Sequence, residues 1–268
     1  MGPYRALVTN DDGIHSLFLH RLVEALLPNF TVSVAAPKKE QSWIGRAISR
    51  HSEIRIEKNN NLFPKEVEAW SLTGTPTDCV NIALGHLVSN PPDIVLSGIN
   101  LGYNTTEILI LSSGTIAGAI EGSLWDIPSI AFSQSISHEL FPEISANNGQ
   151  TDERFSAVIQ ASADKAAQLA LETVQNPPKK GTILNVNFPD TMHAKTEIEM
   201  TQPAKIHLGS LFEETEKDCY RFQYSEGKRL CNHIISDRDA LERGKISISE
   251  LDFSKIGRSQ SFVKYDDR

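Results

Sequence analysis

Residues 10–13 read Asn10-Asp11-Asp12-Gly13, an amide, two adjacent carboxylates and a glycine directly behind the apolar run Arg5-Ala6-Leu7-Val8-Thr9. Two like charges a few ångströms apart raise each other's pKa unless a cation neutralises them. Oxygen donors on a short loop suit a hard divalent ion such as Mg²⁺, Mn²⁺ or Ca²⁺. The same four residues also make an ordinary turn with a helix cap. What separates the two readings is whether other segments bring matching chemistry to the same place. Lys38-Lys39-Glu40-Gln41-Ser42-Trp43-Ile44-Gly45-Arg46 offers a hydroxyl and cationic side chains behind a second apolar run. Gly98-Ile99-Asn100-Leu101-Gly102 follows a third, with Asn100 as a neutral oxygen ligand and glycines that permit close backbone approach. Ser112-Ser113-Gly114-Thr115 opens a helix whose free amides and positive dipole end suit a phosphate group. Thr75-Pro76-Thr77-Asp78 reads more simply as a helix cap, with Pro76 at the first helical position.

The elements that must hold these loops alternate. Leu19, Leu22, Val23 and Leu26 at i, i+3, i+4 and i+7 predict a helix over about Ser16 to Leu27. Thr31 to Ala36 predicts a strand closed by Pro37. Ala47 to Glu57 and Glu66 to Leu72 read as further strands around an Asn59-Asn60-Asn61 turn. Val80, Ala83, Leu84 and Leu87 give the helix after Thr75 its apolar face. Asp93 to Ser97 is a short apolar run of the kind buried in parallel sheets. The chain from Gly98 to Thr115 reads as loop, Ile116 to Trp125 as helix and Ile127 to Ser133 as strand. Gln134 to Glu153 is polar and aperiodic, the helical spacing resumes from Arg154, and Thr182 to Phe188 is strand-like. Such alternation predicts an α/β fold with a mostly parallel sheet. In open sheets of that kind the functional crevice lies at the carboxyl ends of the strands.

Beyond Pro189 the segments become shorter and more charged, with strand-like pieces at Tyr220 to Tyr224 and Ile246 to Ile248. Residues 1–190 are therefore read as the α/β core, and 191–268 as a C-terminal extension of the same domain that packs on it or on a partner subunit. The net charge of −8 over 268 residues argues against polymeric nucleic acid or an anionic membrane as partner. Cys79, Cys219 and Cys231 are odd in number and widely spaced, with no zinc or disulfide pattern. No apolar leader and no membrane-spanning stretch is evident, so a cytoplasmic, reduced protein is the expectation.

Taken in order, the pieces resemble one family. They are Thr9-Asn10-Asp11-Asp12-Gly13, Ala36-Pro37 with Gln41-Ser42, and Gly74-Thr75-Pro76-Thr77-Asp78-Cys79-Val80. They continue with Ser97-Gly98-Ile99-Asn100-Leu101-Gly102-Tyr103-Asn104, Ser113-Gly114-Thr115 with Glu121-Gly122, and Asn185-Val186-Asn187-Phe188-Pro189. The chain resembles the survival protein E (SurE) family of metal-dependent nucleoside monophosphate phosphatases. The resemblance implies a three-layer Rossmann-like core and one divalent cation per subunit, Mg²⁺ or Mn²⁺, held by Asp11, Asp12, Ser42 and Asn100. It implies a substrate phosphate at Asn10, Ser113, Gly114 and Thr115, with Asn104 as a further contact. It also implies nucleoside 5′- or 3′-monophosphates as substrates, and a homodimer or homotetramer built through exchanged C-terminal segments. The chain departs from the family pattern at Trp43-Ile44, where small residues are common, and at Arg46, where a histidine is common. It also lacks the usual tyrosine and proline in Gly244 to Leu251, and it carries Asp239 where some members have a histidine.

The chemistry expected is hydrolysis of a phosphomonoester, with Asp11 or Asp12 taking the proton of the attacking water. A dinucleotide-dependent oxidoreductase would want G-x-G-x-x-G where two carboxylates stand. A haloacid-dehalogenase-type phosphatase needs a D-x-D arrangement that is missing here. A receiver-like, non-enzymatic module needs an acceptor aspartate where Ser97-Gly98 stands.

Overall fold

A computed structural model describes residues 3–230 and 235–255. Tyr4–Thr9 forms β1, and its side chains alternate between two cores, as the period of two along a strand requires. Ala6 and Val8 face one core and Leu7 the other. Behind β1 comes α1 (Leu17–Leu26), which buries Leu19, Leu22, Val23 and Leu26 completely, the stripe its spacing predicts. β2 (Phe30–Pro37), β3 (Ile56–Lys58) and β4 (Glu68–Leu72) follow. Next are α2 (Pro76–Ile82), which widens into a π turn over Ala83–Leu87, and β5 (Ile94–Leu101). The sequence continues with α3 (Thr106–Ser112), α4 (Gly114–Leu124), β6 (Ser129–Gln134), α5 (Phe141–Ala146), α6 (Glu153–Gln175) and β7 (Thr182–Phe188).

The strands order as β4-β2-β1-β5-β6-β7, all parallel, with β3 antiparallel at one edge. α1 and α6 cover one face, burying Leu22 and Ala163 among others; α2 and α4 cover the opposite face. This is the three-layer α/β sandwich expected. Sequential strands lie on either side of β1: β2 and β4 to one side, β5, β6 and β7 to the other. The connection therefore reverses direction between β1 and β5, the topological switch point at which such sheets open a crevice.

Beyond Pro189 the chain forms β8 (Ile198–Met200), β9 (Ile206–His207), β10 (Phe212–Glu216), β11 (Cys219–Phe222) and β12 (Lys228–Arg229), then α7 (Asp237–Glu242) and β13 (Ile246–Asp252). β13 joins the main sheet antiparallel to β7, and β8 pairs parallel to β13. Ile246 and Ile248 enter the main core. Asp237 clips this region to the rest, accepting from Thr106 N (2.8 Å) and Ala204 N (2.9 Å). β10 and β11 make an exposed antiparallel hairpin.

Three local expectations change. The strand predicted over Ala47 to Glu57 shrinks to β3. Residues 47–55 instead serve the cap of α2: Thr75 Oγ1 donates to Ala47 O (2.8 Å) and Asp78 Oδ1 accepts from Ser49 N (3.2 Å). The polar run Ser49-Arg50-His51-Ser52-Glu53 has no apolar alternation to hold a strand. The loop expected up to Thr115 contains α3, which buries Leu109 and Ile110. The loop Gln134 to Glu153 contains α5. The capping reading of Thr75 and Asp78 holds, as a reciprocal capping box. Cys79 is a buried free thiol and Cys219 an exposed one, whereas Cys231 lies outside the described residues. No single helix among the described residues is long and apolar enough to cross a membrane.

Candidate active site

The crevice is assembled by backbone bonds between loops. Ile14 N donates to Pro37 O (2.9 Å) and Gln41 N to Asp11 O (2.7 Å), which draws the loop behind β2 onto the loop behind β1. Leu101 N donates to Asp12 Oδ2 (2.9 Å), joining the end of β5 to the same place. Gly45 N donates to Ser112 O (2.9 Å), bringing in the approach to α4. Gly98 makes the path of β5 to its join with Asp12 feasible. Its φ is +133°, and a Cβ there would collide with the Phe132 carbonyl oxygen, so only glycine lets β5 bend against β6.

At the centre Asp11 is buried and held by Thr115. Its Oδ1 accepts from Thr115 Oγ1 (2.6 Å) and its Oδ2 from Thr115 N (3.0 Å), so the first turn of α4 points its amide and dipole at this carboxylate. Burial still raises the Asp11 pKa to about 6, against these hydrogen bonds. Asp12 is pushed well above the carboxylate range by burial and then by the Asp11 charge. Glu40 adds further negative potential to both. Among the described residues neither carboxylate has a Lys or Arg partner. Asn10 donates from Nδ2 to Gly13 O (2.9 Å), while its buried Oδ1 has no hydrogen-bond partner among the described residues.

These facts fit a hard cation. Two desolvated carboxylates without a counter-charge destabilise each other, and a divalent ion removes the conflict. The neutral oxygens nearby are of the right kind. Asn100 spends its Nδ2 on Gly102 O (2.8 Å), and Ser42 stands on the loop whose amide is fixed by Glu40 Oε1 (2.6 Å).

A cavity of about 300 Å³ opens at this point. Asp11, Ser42, Asn100, Asn104 and Ser113 line it. Asn10, Asp12, Gly114 and Thr115 lie close to these residues in sequence but do not themselves line the cavity. Gly114 packs so closely that a Cβ on it would lie 2.9 Å from Asp11 Cβ, and Ser113 Oγ caps α4 by accepting from Ile116 N (3.1 Å). Asn104 is fixed on three sides, by Asn187 Oδ1, Ser133 Oγ and the amide of Asn185.

Sequence reasoning missed two groups. One is the apolar wall of the same cavity, including Trp43, Tyr103, Phe141, Phe222 and Tyr224. Trp43 was visible only as a departure from the family pattern, and nothing local ties Phe222 to it. The other is Glu121, quoted above only as part of the family pattern and not for its role: almost wholly buried, it accepts from Arg46 (2.5 Å), Asn81 (2.8 Å) and Trp125 Nε1 (3.2 Å). It anchors the loop carrying Ser42 to α4 and α2.

The family pattern described as Survival protein SurE matches residues 6–210. A 5′-nucleotidase SurE from Trichormus variabilis is 40% identical over 265 residues, covering 93% of this chain and 93% of its own. One from Geobacter sulfurreducens is 34% identical over 251 residues, covering 91% and 86%. One from Methanosarcina barkeri is 31% identical over 261 residues, covering 96% and 95%. The crystal structure of the SurE protein from Aquifex aeolicus superposes with a TM-score of 0.72 at 25% identity, over 93% of each chain. The paired carboxylates at a switch point and these matches lead to one assignment: the chain belongs to the SurE family.

Proposed function

We propose that the chain is a metal-dependent phosphoric monoester hydrolase that releases phosphate from nucleoside 5′-monophosphates, with 3′-monophosphates as a second class to be assayed. The observation that carries this reading is the Asp11–Asp12 pair, Asp11 buried and Asp12 half-buried, with no Lys or Arg partner among the described residues and set beside a helix start in a cavity at the sheet's switch point. The relatives' name, 5′-nucleotidase, supplies the substrate class.

In this reading Asp11, Asp12, Ser42 and Asn100 hold one Mg²⁺ or Mn²⁺. Bound there, the ion supplies Lewis-acid neutralisation of a phosphoryl oxygen and a site for water of lowered pKa. The chain's own contribution is orientation. Thr115 holds both oxygens of Asp11, so Asp11 is the rigid member of the pair. Asp12 is held through Oδ2 by Leu101 N–H, and its other oxygen has no hydrogen bond among the described residues. We assign that oxygen to receive the proton of the attacking water. Ser113, Gly114, Asn104 and the Asn10 amide are assigned to the substrate phosphate, where the dipole of α4 opposes its charge. We further infer a cytoplasmic location and a homodimer or homotetramer whose contacts use segments beyond Pro189; exposed Phe212 and Tyr220 in the hairpin support the contact surface. Light scattering of the full chain measures that state.

The test of function is phosphate release from a panel of nucleoside monophosphates with Mg²⁺, Mn²⁺ or excess EDTA, for wild type and Asp12→Asn. Metal-dependent release that falls by about 10²-fold or more in Asp12→Asn is the expected result. Undiminished turnover in Asp12→Asn, or no release from any nucleotide with either ion, overturns the reading.

A further inference from the structure

The cavity is divided by chemistry. Its lining includes the polar Asp11, Ser42, Asn100, Asn104 and Ser113, and with them the rings of Trp43, Tyr103, Phe141, Phe222 and Tyr224. Three of these rings come together from distant parts of the chain. Trp43, on the loop behind β2, meets Phe222 edge to face with centroids 5.0 Å apart, and Tyr224 at 6.0 Å. Phe222 and Tyr224 belong to the exposed β10–β11 hairpin and the segment leaving it. Tyr224 is seated from behind, since its hydroxyl lies 3.2 Å from that of Tyr103, whose ring in turn lies under the Arg238 guanidinium at 4.9 Å.

Two facts set Trp43 apart from a core aromatic. It remains 40% exposed, and Phe222 is 43% exposed, although each packs against two other rings. Trp43 also has φ +59°, the left-handed region that bulky residues seldom occupy and that costs on the order of 1–3 kcal/mol. Half-covered rings held at that cost on a cavity wall serve a ligand better than they serve packing. The rings are too near each other for a third to slide between them, because a sandwich needs two spacings of about 3.5 Å with parallel planes. The free ring surface therefore faces the cavity.

We propose that Trp43, backed by Phe222 and Tyr224, is the nucleobase platform of this enzyme and makes purine nucleoside monophosphates its preferred substrates. This deepens the phosphatase reading and rests on it. Ser42 and Trp43 are adjacent, so one loop contributes both a hydroxyl and an indole to the cavity lining. A substrate with an anionic phosphate at one end and a planar, weakly hydrated base at the other matches both kinds of lining at once. Stacking scales with ring area, which favours a purine over a pyrimidine, and either over a bare sugar phosphate. The hairpin thereby acts on a reaction whose polar residues all lie on the α/β core.

The test compares kcat/KM for AMP, UMP and ribose 5-phosphate in wild type, Trp43→Ala, Trp43→Phe and Phe222→Ala. Wild type should rank the three in that order. Trp43→Ala should lower the AMP to ribose 5-phosphate ratio by about tenfold or more, the size of one lost base stack. Trp43→Phe should retain most of it, and Phe222→Ala should fall between. A flat ranking in wild type, or equal losses on all three substrates in Trp43→Ala, overturns the proposal, the latter because Trp43 would then only hold Ser42. Should wild type hydrolyse no phosphomonoester, the phosphatase reading fails separately, and binding decides the platform. Quenching of tryptophan fluorescence by AMP but not by ribose 5-phosphate, lost in Trp43→Phe, would still support it; no quenching by AMP would overturn it.

Discussion

At the scale of single residues the site is a stability liability that a ligand relieves. Asp11 is held by two hydrogen bonds from Thr115 and still has its pKa raised from 3.8 to about 6, chiefly by burial. A carboxyl whose folded pKa exceeds its unfolded one binds its proton more tightly in the native state. Its contribution is fully present below about pH 4 and lost as pH rises through about 6. Above that range the ionised group destabilises the metal-free protein. Asp11→Asn removes the charge while an amide still accepts from Thr115 N–H and donates to its hydroxyl. In EDTA at pH 7.5 the variant should therefore unfold at a higher temperature than wild type, with the gap narrowing towards pH 4.5. Saturating Mn²⁺ should reverse the order, because only wild type keeps both carboxylates. Thermal unfolding of the two proteins at both pH values, with and without the ion, measures this; parallel pH profiles in EDTA would refute it.

At the scale of elements, α4 shows how closely a helix must approach to deliver Thr115 to Asp11. Gly122 faces β5 and β6, and a Cβ there would lie 2.6 Å from Val95 Cβ and 2.5 Å from Ser129 Oγ. Alanine is the better helix former by about 1 kcal/mol. Overpacking against a buried strand, however, costs about 1–3 kcal/mol, and neither neighbour is the loose end of a long side chain. Gly122→Ala should thus lower stability in urea by about 1–2 kcal/mol. Gly85→Ala, whose Cβ would meet only Trp125 at 3.8 Å, should not, and equal effects in the two variants would remove packing as the cause. This element also marks what a sequence discloses. The helix start at Ser113 and the acids behind β1 were readable because caps, carboxylate pairs and strand ends are local signals. The grip of Thr115 on Asp11 was not, since 104 residues separate them and only the switch between β1 and β5 brings them together. α3 escaped for a different reason: Ile108-Leu109-Ile110-Leu111 is a continuous apolar run with no helical period to count. The aromatic wall was hidden because its members come from separate segments whose meeting depends on the hairpin's path.

At the scale of the molecule, the region beyond Pro189 divides into a part that completes the sheet and a part that only borders the cavity. β13 covers the open edge of β7, Ile246 and Ile248 fill the main core, and Asp237 ties Thr106 and Ala204 together. The β10–β11 hairpin contributes no buried residue to either strand. Its base is closed independently by β9 and β12, where Lys228 pairs with His207 and Arg229 with Ile206. Residues 209–227 are therefore an excursion whose two ends are already held side by side. Replacing them with a short Gly-Ser turn should preserve one cooperative urea transition within about 1 kcal/mol of wild type, since exposed contacts contribute little. A chain stopped after residue 230 should lose that transition, because it leaves the outer edge of β7 unpaired and removes two core isoleucines. Far-ultraviolet circular dichroism during urea titration, at one fixed protein concentration, separates the two cases. If excision alone abolished cooperative unfolding, the hairpin would belong to the folding unit. If instead the shortened protein folds and still hydrolyses nucleotides, its substrate ranking shows what the hairpin adds. A preference for AMP that collapses towards that for ribose 5-phosphate means the fold builds its phosphate chemistry in the sheet and its base recognition in an appended arm.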